Sequence, residues 1–135
     1  MPTALTKVNS FVEAVAEKKI NLGGTGLTLA LTNAVPATPT ILTDLTQVSY
    51  TYLSSRALTV SASSQTSGTY KLVITDITLT ATGAVGPFQY IWIYDDSATN
   101  KDLIGYYDYG SAITMANGDT LLINFDGTNG VLTIA

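Results

Sequence analysis

One short stretch limits the fold of this chain more than any other, the segment FQYIWIYDD that begins at Phe88. Phe88, Tyr90 and Trp92 alternate there with Ile91 and Ile93, so an extended backbone is apolar on both faces. A strand with this pattern is covered on both faces, whereas a half-buried strand is apolar on only one. The stretch therefore predicts a central strand, with Phe88 and Trp92 in the hydrophobic core.

Much of the remaining chain alternates between apolar and polar residues with a period of two, which is typical of strands. Leu27, Leu29 and Leu31 predict a half-buried strand, and ALTVSASS predicts a second one. In TYKLVITDITLTATG the apolar residues change parity near Thr75 and Asp76, so we expect a β-bulge or a strand break there. LIGYYDYG follows the polar loop DDSATNKD and predicts the hairpin partner of the central strand.

The end of the chain and two connecting segments complete the pattern. ITMANGDTLLINF and VLTIA predict the last strands, which the turn DGTNG joins. VPATPT contains two prolines that exclude it from a central strand, and ILTDLTQVSYTYLSS fits either a short helical turn or an irregular connection. About seven or eight short strands and one short N-terminal α-helix predict a mainly β fold, either a β-sandwich or a jelly-roll-like domain.

The helix is predicted at residues 10–20, in SFVEAVAEKKINLGG. Ser10 and Glu13 have the spacing of a capping box, and Gly23 suits the left-handed conformation that ends a helix. An apolar face and two cations in the last turn, where the helix dipole favours positive charge, agree with this boundary. These residues are Val12, Val15 and Ala16, with Phe11 beside them, and Lys18 and Lys19. The alternative for this segment is a mobile arm.

A length of 135 residues favours a single β-rich domain over residues 1–135. We expect residues 26–135 to form the β-sandwich, the helix to cover an apolar sheet, and residues 1–9 to be a candidate N-terminal arm. The first residues lack the apolar run of a signal peptide, and no window has the length needed to span a bilayer.

The composition argues against several classes of function. The chain has no histidine and no cysteine, so the common nucleophile–base pairs and most zinc sites are excluded. Charged residues make up only 12% of the chain, the net charge is -4, and no basic run is available to neutralise phosphates. These properties argue against nucleic-acid binding. We also expect no cofactor, no metal site and no enzymatic activity.

Two groups of residues resemble functional sites but are better explained by turns. GGTG at residues 23–26 follows the predicted helix and precedes a strand, the reverse of the order in a phosphate-binding loop. The loop aspartates lack EF-hand spacing, so we expect solvated turn residues, the alternative being a cation held between loops. Asp95 and Asp108 are candidates to approach each other across the hairpin, but no cleft for paired carboxylates is evident. The loop aspartates are Asp95, Asp96, Asp102, Asp119 and Asp126.

The tyrosines are the remaining candidates for function. Tyr106 and Tyr107 are adjacent, so in a strand they point to opposite faces, and one of them is expected to face outward. Exposed tyrosines with few charges nearby are typical of protein interfaces, although carbohydrate or peptide stacking uses the same side chains. The candidate interface residues are Tyr106, Tyr107, Tyr109, Tyr50 and Tyr52.

Several segments in a fixed order also resemble a known class of proteins. They are SFVEAVAEK, LALTN with its proline-rich link, QTSGTYKLVITD, GPFQY, IYDDSATNKDLIGYYDYG and GDTLLINFDGTNGVLTI. In this strand-and-turn pattern the chain resembles small structural proteins of tailed bacteriophages, among them capsid decoration or cement proteins. The resemblance implies a virion protein on the capsid surface, assembled in the host cytoplasm, that bridges subunits of the major capsid protein, commonly as a homotrimer. It transfers no site residues, and the alternative is a tail or fibre component that binds host carbohydrate.

Overall fold

The computed structural model describes residues 4–135 and shows a mainly β protein with one short α-helix, as predicted. The elements are β1 Thr6–Lys7, α1 Phe11–Ala16, β2 Leu27–Thr32, β3 Val60–Thr66, β4 Thr69–Ile74, β5 Ile77–Thr80, β6 Val85–Asp95, β7 Leu103–Met115, β8 Thr120–Ile123 and β9 Leu132–Ile134, with a 3-10 turn at Leu42–Asp44. Within the described residues these strands form three antiparallel sheets, in the orders β1-β7-β6-β2, β3-β4-β9 and β5-β8.

The central strand that the sequence predicts is β6. It lies between β7 and β2 in the four-stranded sheet, with Trp92 opposite Ala30 on one side and Tyr106 on the other. Its last five residues are buried, and Phe88 and Trp92 have no exposed surface. The predicted central strand, its hairpin partner β7 and the core position of both aromatic side chains are therefore confirmed.

The two faces of this sheet are covered by different parts of the chain. One face carries Tyr107 and packs against the second layer of strands in a single hydrophobic core. The other face holds Trp92, whose indole N–H donates to the Thr32 hydroxyl at 2.9 Å. It also holds Tyr106, which lines a groove together with residues 35–40 of the connection after β2. Because Ala30 and Thr32 are buried as well as the leucines, β2 is covered on both faces and the half-buried prediction is wrong.

The change of parity near Thr75 and Asp76 is a strand break, as predicted. β4 ends before these two residues and β5 begins after them, and the two strands belong to different sheets. The Asp76 carboxylate accepts a hydrogen bond from the Phe125 N–H at 2.8 Å, which ties the break to the chain that follows β8. The break lets one continuous segment contribute apolar residues of both parities to the same core.

The helix ends earlier than predicted. Lys18 adopts a left-handed conformation with φ of 63°, and the Lys19 N–H donates back to the Ala14 carbonyl at 2.8 Å. A residue in this conformation turns the chain out of the helix and lets the following N–H groups satisfy the last carbonyls. Gly23 is therefore not the helix stop, because the chain has already left the helix, and both lysines lie beyond the last turn.

The buried face of α1 also differs from the prediction. The helix covers six residues, within the predicted 10–20, and buries Phe11 and Ala14 while Val12 is 66% exposed. One position along a helix rotates a side chain by about 100°, so a small shift of the inward face exposes a different apolar residue. Ser10 occupies the N-cap position, but its side chain makes no capping hydrogen bond, so the predicted capping box is not formed.

The segment predicted as a candidate arm belongs in part to the domain. β1 pairs with β7, and the Val8 N–H donates to the Ile104 carbonyl at 3.1 Å. Gly105 permits this close pairing, because a Cβ atom there would lie 2.5 Å from the Thr6 carbonyl oxygen. The arm prediction is therefore wrong for the residues of β1, and residues 1–3 lie outside the described part of the chain.

Candidate interaction surface

The five tyrosines predicted as interface residues differ widely in exposure. Tyr52 and Tyr109 are 51% and 39% exposed, Tyr50 and Tyr106 are half-buried, and Tyr107 is only 4% exposed. A partner can therefore contact the rings of Tyr52 and Tyr109, whereas the other three tyrosines mainly support the fold.

Tyr106 belongs to an aromatic cluster on the Trp92 face of the four-stranded sheet. Its ring centroid lies 4.7 Å from that of Trp92 and 5.9 Å from that of Tyr90, the latter pair meeting edge to face. Such pairs add about 0.5–1.5 kcal/mol beyond the area they bury. Tyr106 therefore stabilises the sheet and leaves only part of its ring at the surface.

Tyr107 lies on the opposite face of the sheet, as the alternation of the strand predicts. Its ring packs against Phe125 with centroids 6.0 Å apart. Burial, together with the nearby negative charge of Asp126, raises the pKa of Tyr107 to about 12. Tyr107 is a core residue, so its prediction as an interface residue is corrected.

Tyr109 lies in a wide bulge of β7. The pairing with β6 passes from Tyr90–Asp108 to Phe88–Ile113, so β6 advances by two residues while β7 advances by five. The extra residues of β7 have no partner on β6 and bend outward, as bulged residues do. This geometry places the Tyr109 ring at the surface.

Hydrogen bonds at the base of the bulge hold its shape. The Asp108 carboxylate accepts from the Gly110 N–H at 2.8 Å and from the Gln89 side-chain amide at 2.9 Å. Gly110 has φ of 95°, a conformation that glycine adopts without steric cost. The backbone on both sides of Tyr109 is thus fixed, and the tyrosine is presented on a rigid support.

Tyr50 and Tyr52 both lie in the segment of residues 47–58, which we call the edge strap. The strap pairs with β2 at both of its ends and with β5 in its middle. Along β2, the Val48 N–H donates to the Leu31 carbonyl at 3.0 Å, and the Leu29 N–H donates to the Arg56 carbonyl at 3.0 Å. The strap therefore covers an edge of the four-stranded sheet that would otherwise be open.

Where the backbone of the strap turns away from β2, two of its side chains bond to the backbone groups of β2 instead. The Tyr50 hydroxyl accepts from the Leu31 N–H at 2.9 Å, and the Arg56 guanidinium donates to the Leu29 carbonyl. The guanidinium also lies over the Tyr50 ring, 3.6 Å from its centroid. Tyr50 thus has a structural role that it shares with Arg56, the one arginine of the chain, which no sequence pattern singled out.

Tyr52 is exposed although its backbone is fixed. Its carbonyl accepts from the Thr82 N–H at 2.8 Å, next to the bridge between Leu53 and Ala81. The ring lies directly over Gly83, where a Cβ atom would be 2.6 Å from the ring. Tyr52 is therefore a second aromatic ring presented outward on a rigid backbone.

We expect Tyr50→Phe to lower the free energy of unfolding by about 1–2 kcal/mol, because the buried Leu31 N–H loses its acceptor. The Tyr50 hydroxyl also donates to the Gln47 side-chain oxygen at 2.8 Å, a bond that the variant loses as well. Urea unfolding measures the change, and hydrogen exchange at the Leu31 amide should become faster. Tyr52→Phe is the matched control and should unfold like the wild type. Equal stability of both variants contradicts the role assigned to Tyr50.

Asp95 and Asp108 do not approach each other, so that prediction is wrong. Asp108 is opposite Tyr90, five residues along β6 from Asp95, which corresponds to about 16 Å at the rise of a strand. Asp95 instead lies beside Asp102, whose carbonyl accepts from the Asp95 N–H at 3.1 Å. The register of the hairpin therefore separates the two carboxylates along the strand.

Asp95 is buried, unlike the solvated turn residue that the sequence predicts. Its carboxylate is 1% exposed and accepts from the Asn21 N–H at 2.9 Å, the Ser97 N–H at 3.0 Å and the Ser97 hydroxyl at 2.5 Å. Gly26 packs directly against it, since a Cβ atom there would lie 2.7 Å from the carboxylate oxygen. The last glycine of GGTG is thus required for space beside a carboxylate, which the sequence order alone does not reveal.

Asp102 is half-buried and forms an isolated bridge with Ile41, whereas the three remaining loop aspartates behave as turn residues. Asp119 accepts from the Ala116 N–H at 2.8 Å, and Asp96 forms an exposed ion pair with Lys101 at 2.7 Å. Asp126 accepts from the N–H groups that follow it in DGTNG, which hold its pKa below the ordinary value. Within residues 4–135, no three metal-ligating side chains are grouped.

Comparisons with known proteins identify no relative. No family model, no curated protein sequence and no solved structure matches the chain. No helix in the described residues is long and apolar enough to cross a membrane. What the protein does is therefore inferred from its own residues.

Proposed function

We propose that the protein is a non-enzymatic structural subunit of a tailed-bacteriophage virion, preferably a capsid decoration or cement protein that bridges subunits of the major capsid protein. The observation that carries the proposal is the exposed Tyr109 ring on its fixed bulge. Tyrosine gives a large contact area with little loss of side-chain freedom, so a rigidly held tyrosine suits a protein interface.

The rest of the surface agrees with a protein that acts by contact. Tyr52 adds a second exposed ring, and charged residues are only 12% of the chain, so few charges must lose water on docking. A stable interface needs about 800 Å² from each partner. In a symmetric shell, repeated modest contacts add up, which suits a small domain assembled as a closed ring, with a trimer preferred.

Electron cryo-microscopy of the intact virion tests the proposal. We expect density for this chain on the outer shell, with the bulge around Tyr109 facing a neighbouring chain. Density on the tail alone, or no density in the particle, overturns the capsid assignment.

The exposed Tyr109 ring also favours a second candidate, a tail or fibre component that stacks host carbohydrate on an aromatic side chain. Glycan-array binding that is lost in Tyr109→Ala, but kept in Tyr52→Ala, supports this candidate over the first. Tyr107 cannot provide such stacking because it is buried.

A further inference from the structure

Among the strands longer than two residues in the described part of the chain, β3 alone is exposed on both faces along most of its length. All residues from Ser61 to Thr66 are exposed, and among residues 4–135 the strand has a single neighbour, β4. Isolated pairs of strands gain little stability in water, so a strand without burial depends on backbone hydrogen bonds. The outer edge of β3, on the side away from β4, adds no such bonds within the described residues.

The backbone of β3 has hydrogen-bonding groups that point away from β4. Ser67 and Gly68 form a two-residue turn with φ of 49° and 84°, which closes the hairpin at the pair Thr66 and Thr69. Since antiparallel partners alternate between bonded and non-bonded pairs, the N–H and C=O groups of Ser63 and Gln65 point outward. In residues 4–135 no backbone group of β3 bonds to any strand other than β4.

Both edges of the four-stranded sheet are protected, whereas β3 has a neighbouring segment only along its first half, where residues 23–25 lie beside residues 58–63 in the described structure. The edge strap covers β2, and β1 carries the charge of Lys7 beside β9. Proteins protect strand edges with charges, prolines or covering loops. β3 has no charged residue and no proline, and its one irregularity is a register shift between Val60 and Ala62, at its start.

We infer that β3 is a docking edge for β3 of a second copy of this chain, in antiparallel orientation about a two-fold axis. The charge distribution supports a second copy as the occupant. The chain has a net charge of -4 and so repels itself, but no charged residue occurs between Arg56 and Lys71, the stretch that contains β3. An isologous contact places each residue near its own copy, and an uncharged strand avoids like charges directly opposite.

The contact would join two three-stranded sheets into one sheet of six strands. Ser63 and Gln65 of each copy supply the outward N–H and C=O groups, and the small neighbouring side chains allow the strands to approach to their usual separation of about 4.8 Å. This inference rests on the proposed function for the expectation that the protein acts through contacts with other chains. It names one of those contacts and makes it two-fold, so this contact is separate from the one that would close the trimer preferred on the capsid.

Sedimentation of the purified chain over a range of concentrations tests the inference. The wild type should reach a dimer, and Ser64→Lys should weaken dimerisation about two- to fivefold, because the lysines of the two copies lie directly opposite each other in the ladder. Ser64 is exposed on β3 and its side chain forms no hydrogen bond in the described residues, so the variant should keep its fold and thermal stability. Thr78→Lys is the control, since it adds the same charge at an exposed position of the paired strand β5.

Dimerisation should also slow hydrogen exchange at the Ser63 and Gln65 amides of the wild type. A wild type that stays monomeric at every concentration overturns the inference, as does equal dimerisation of the two lysine variants. Protection of these amides only when another protein is added also overturns it and identifies a different partner. A chain that dimerises but is absent from the capsid contradicts the proposed function alone, whereas a monomer on the capsid contradicts this inference alone.

Discussion

Asp95→Ala should lower the free energy of unfolding by about 2–4 kcal/mol, because two backbone N–H groups lose a charged acceptor inside the protein. These groups belong to Asn21 and Ser97, which the carboxylate holds at 2.9 and 3.0 Å. The carboxylate connects the segment after α1 to the end of β6, so its loss loosens two parts of the chain together. Denaturant unfolding measures the change, and hydrogen exchange at the Asn21 amide locates it.

Asp96→Ala is the matched control one residue away. The Asp96 side chain is 52% exposed and pairs with an exposed Lys101, and ion pairs of this kind contribute little to stability. We expect this variant to unfold like the wild type. If Asp95→Ala is no less stable than Asp96→Ala, the buried carboxylate does not have the connecting role assigned to it.

The stability of the wild type should fall by about 2 kcal/mol between pH 10 and pH 12 through the ionisation of Tyr107 alone. Burial raises the pKa of Tyr107 to about 12 in the folded protein, while an unfolded tyrosine has a pKa of about 10. Below pH 10 both states keep the proton and this contribution is complete. Above pH 10 the unfolded chain ionises first, so the contribution declines until the folded side chain ionises near pH 12.

Tyr107→Phe removes the ionisable group and keeps the ring that packs against Phe125. Denaturant unfolding at a series of alkaline pH values should show a shallower decline for this variant than for the wild type. Tyr109→Phe, at an exposed tyrosine of the same strand, should decline like the wild type. Parallel curves for all three proteins would show that Tyr107 is not held neutral by burial.

The features that the sequence predicted correctly are those that depend on periodicity. Apolar residues of both parities predicted the buried central strand β6, and the change of parity at Thr75 and Asp76 predicted the break between β4 and β5. Side chains of a strand alternate strictly, so apolar residues of both parities indicate burial on both faces. The alternating pattern of β2 did not show that its second face is covered as well. The helix was less well predicted, because capping-box spacing at Ser10 does not show which residue leaves the helix, and Lys18 does so here.

The candidate surface depended on information that periodicity does not contain. The residues Tyr106, Tyr107 and Tyr109 look alike in the sequence, yet one packs on Trp92, one lies in the core and one is on a bulge. The bulge results from a mismatch between the lengths of two paired strands. The sequence of one strand by itself does not show such a mismatch.

By itself, the sequence determined that this protein is mainly β, that β6 lies at its centre and that its charge is low and unevenly distributed. Tertiary structure alone decided which tyrosines are exposed, that Asp95 is buried against Gly26, and that β3 has an open edge. The physical reason is that alternation and composition are properties of neighbouring residues. Exposure and edge pairing depend instead on distant segments, and these meet only when the chain is folded.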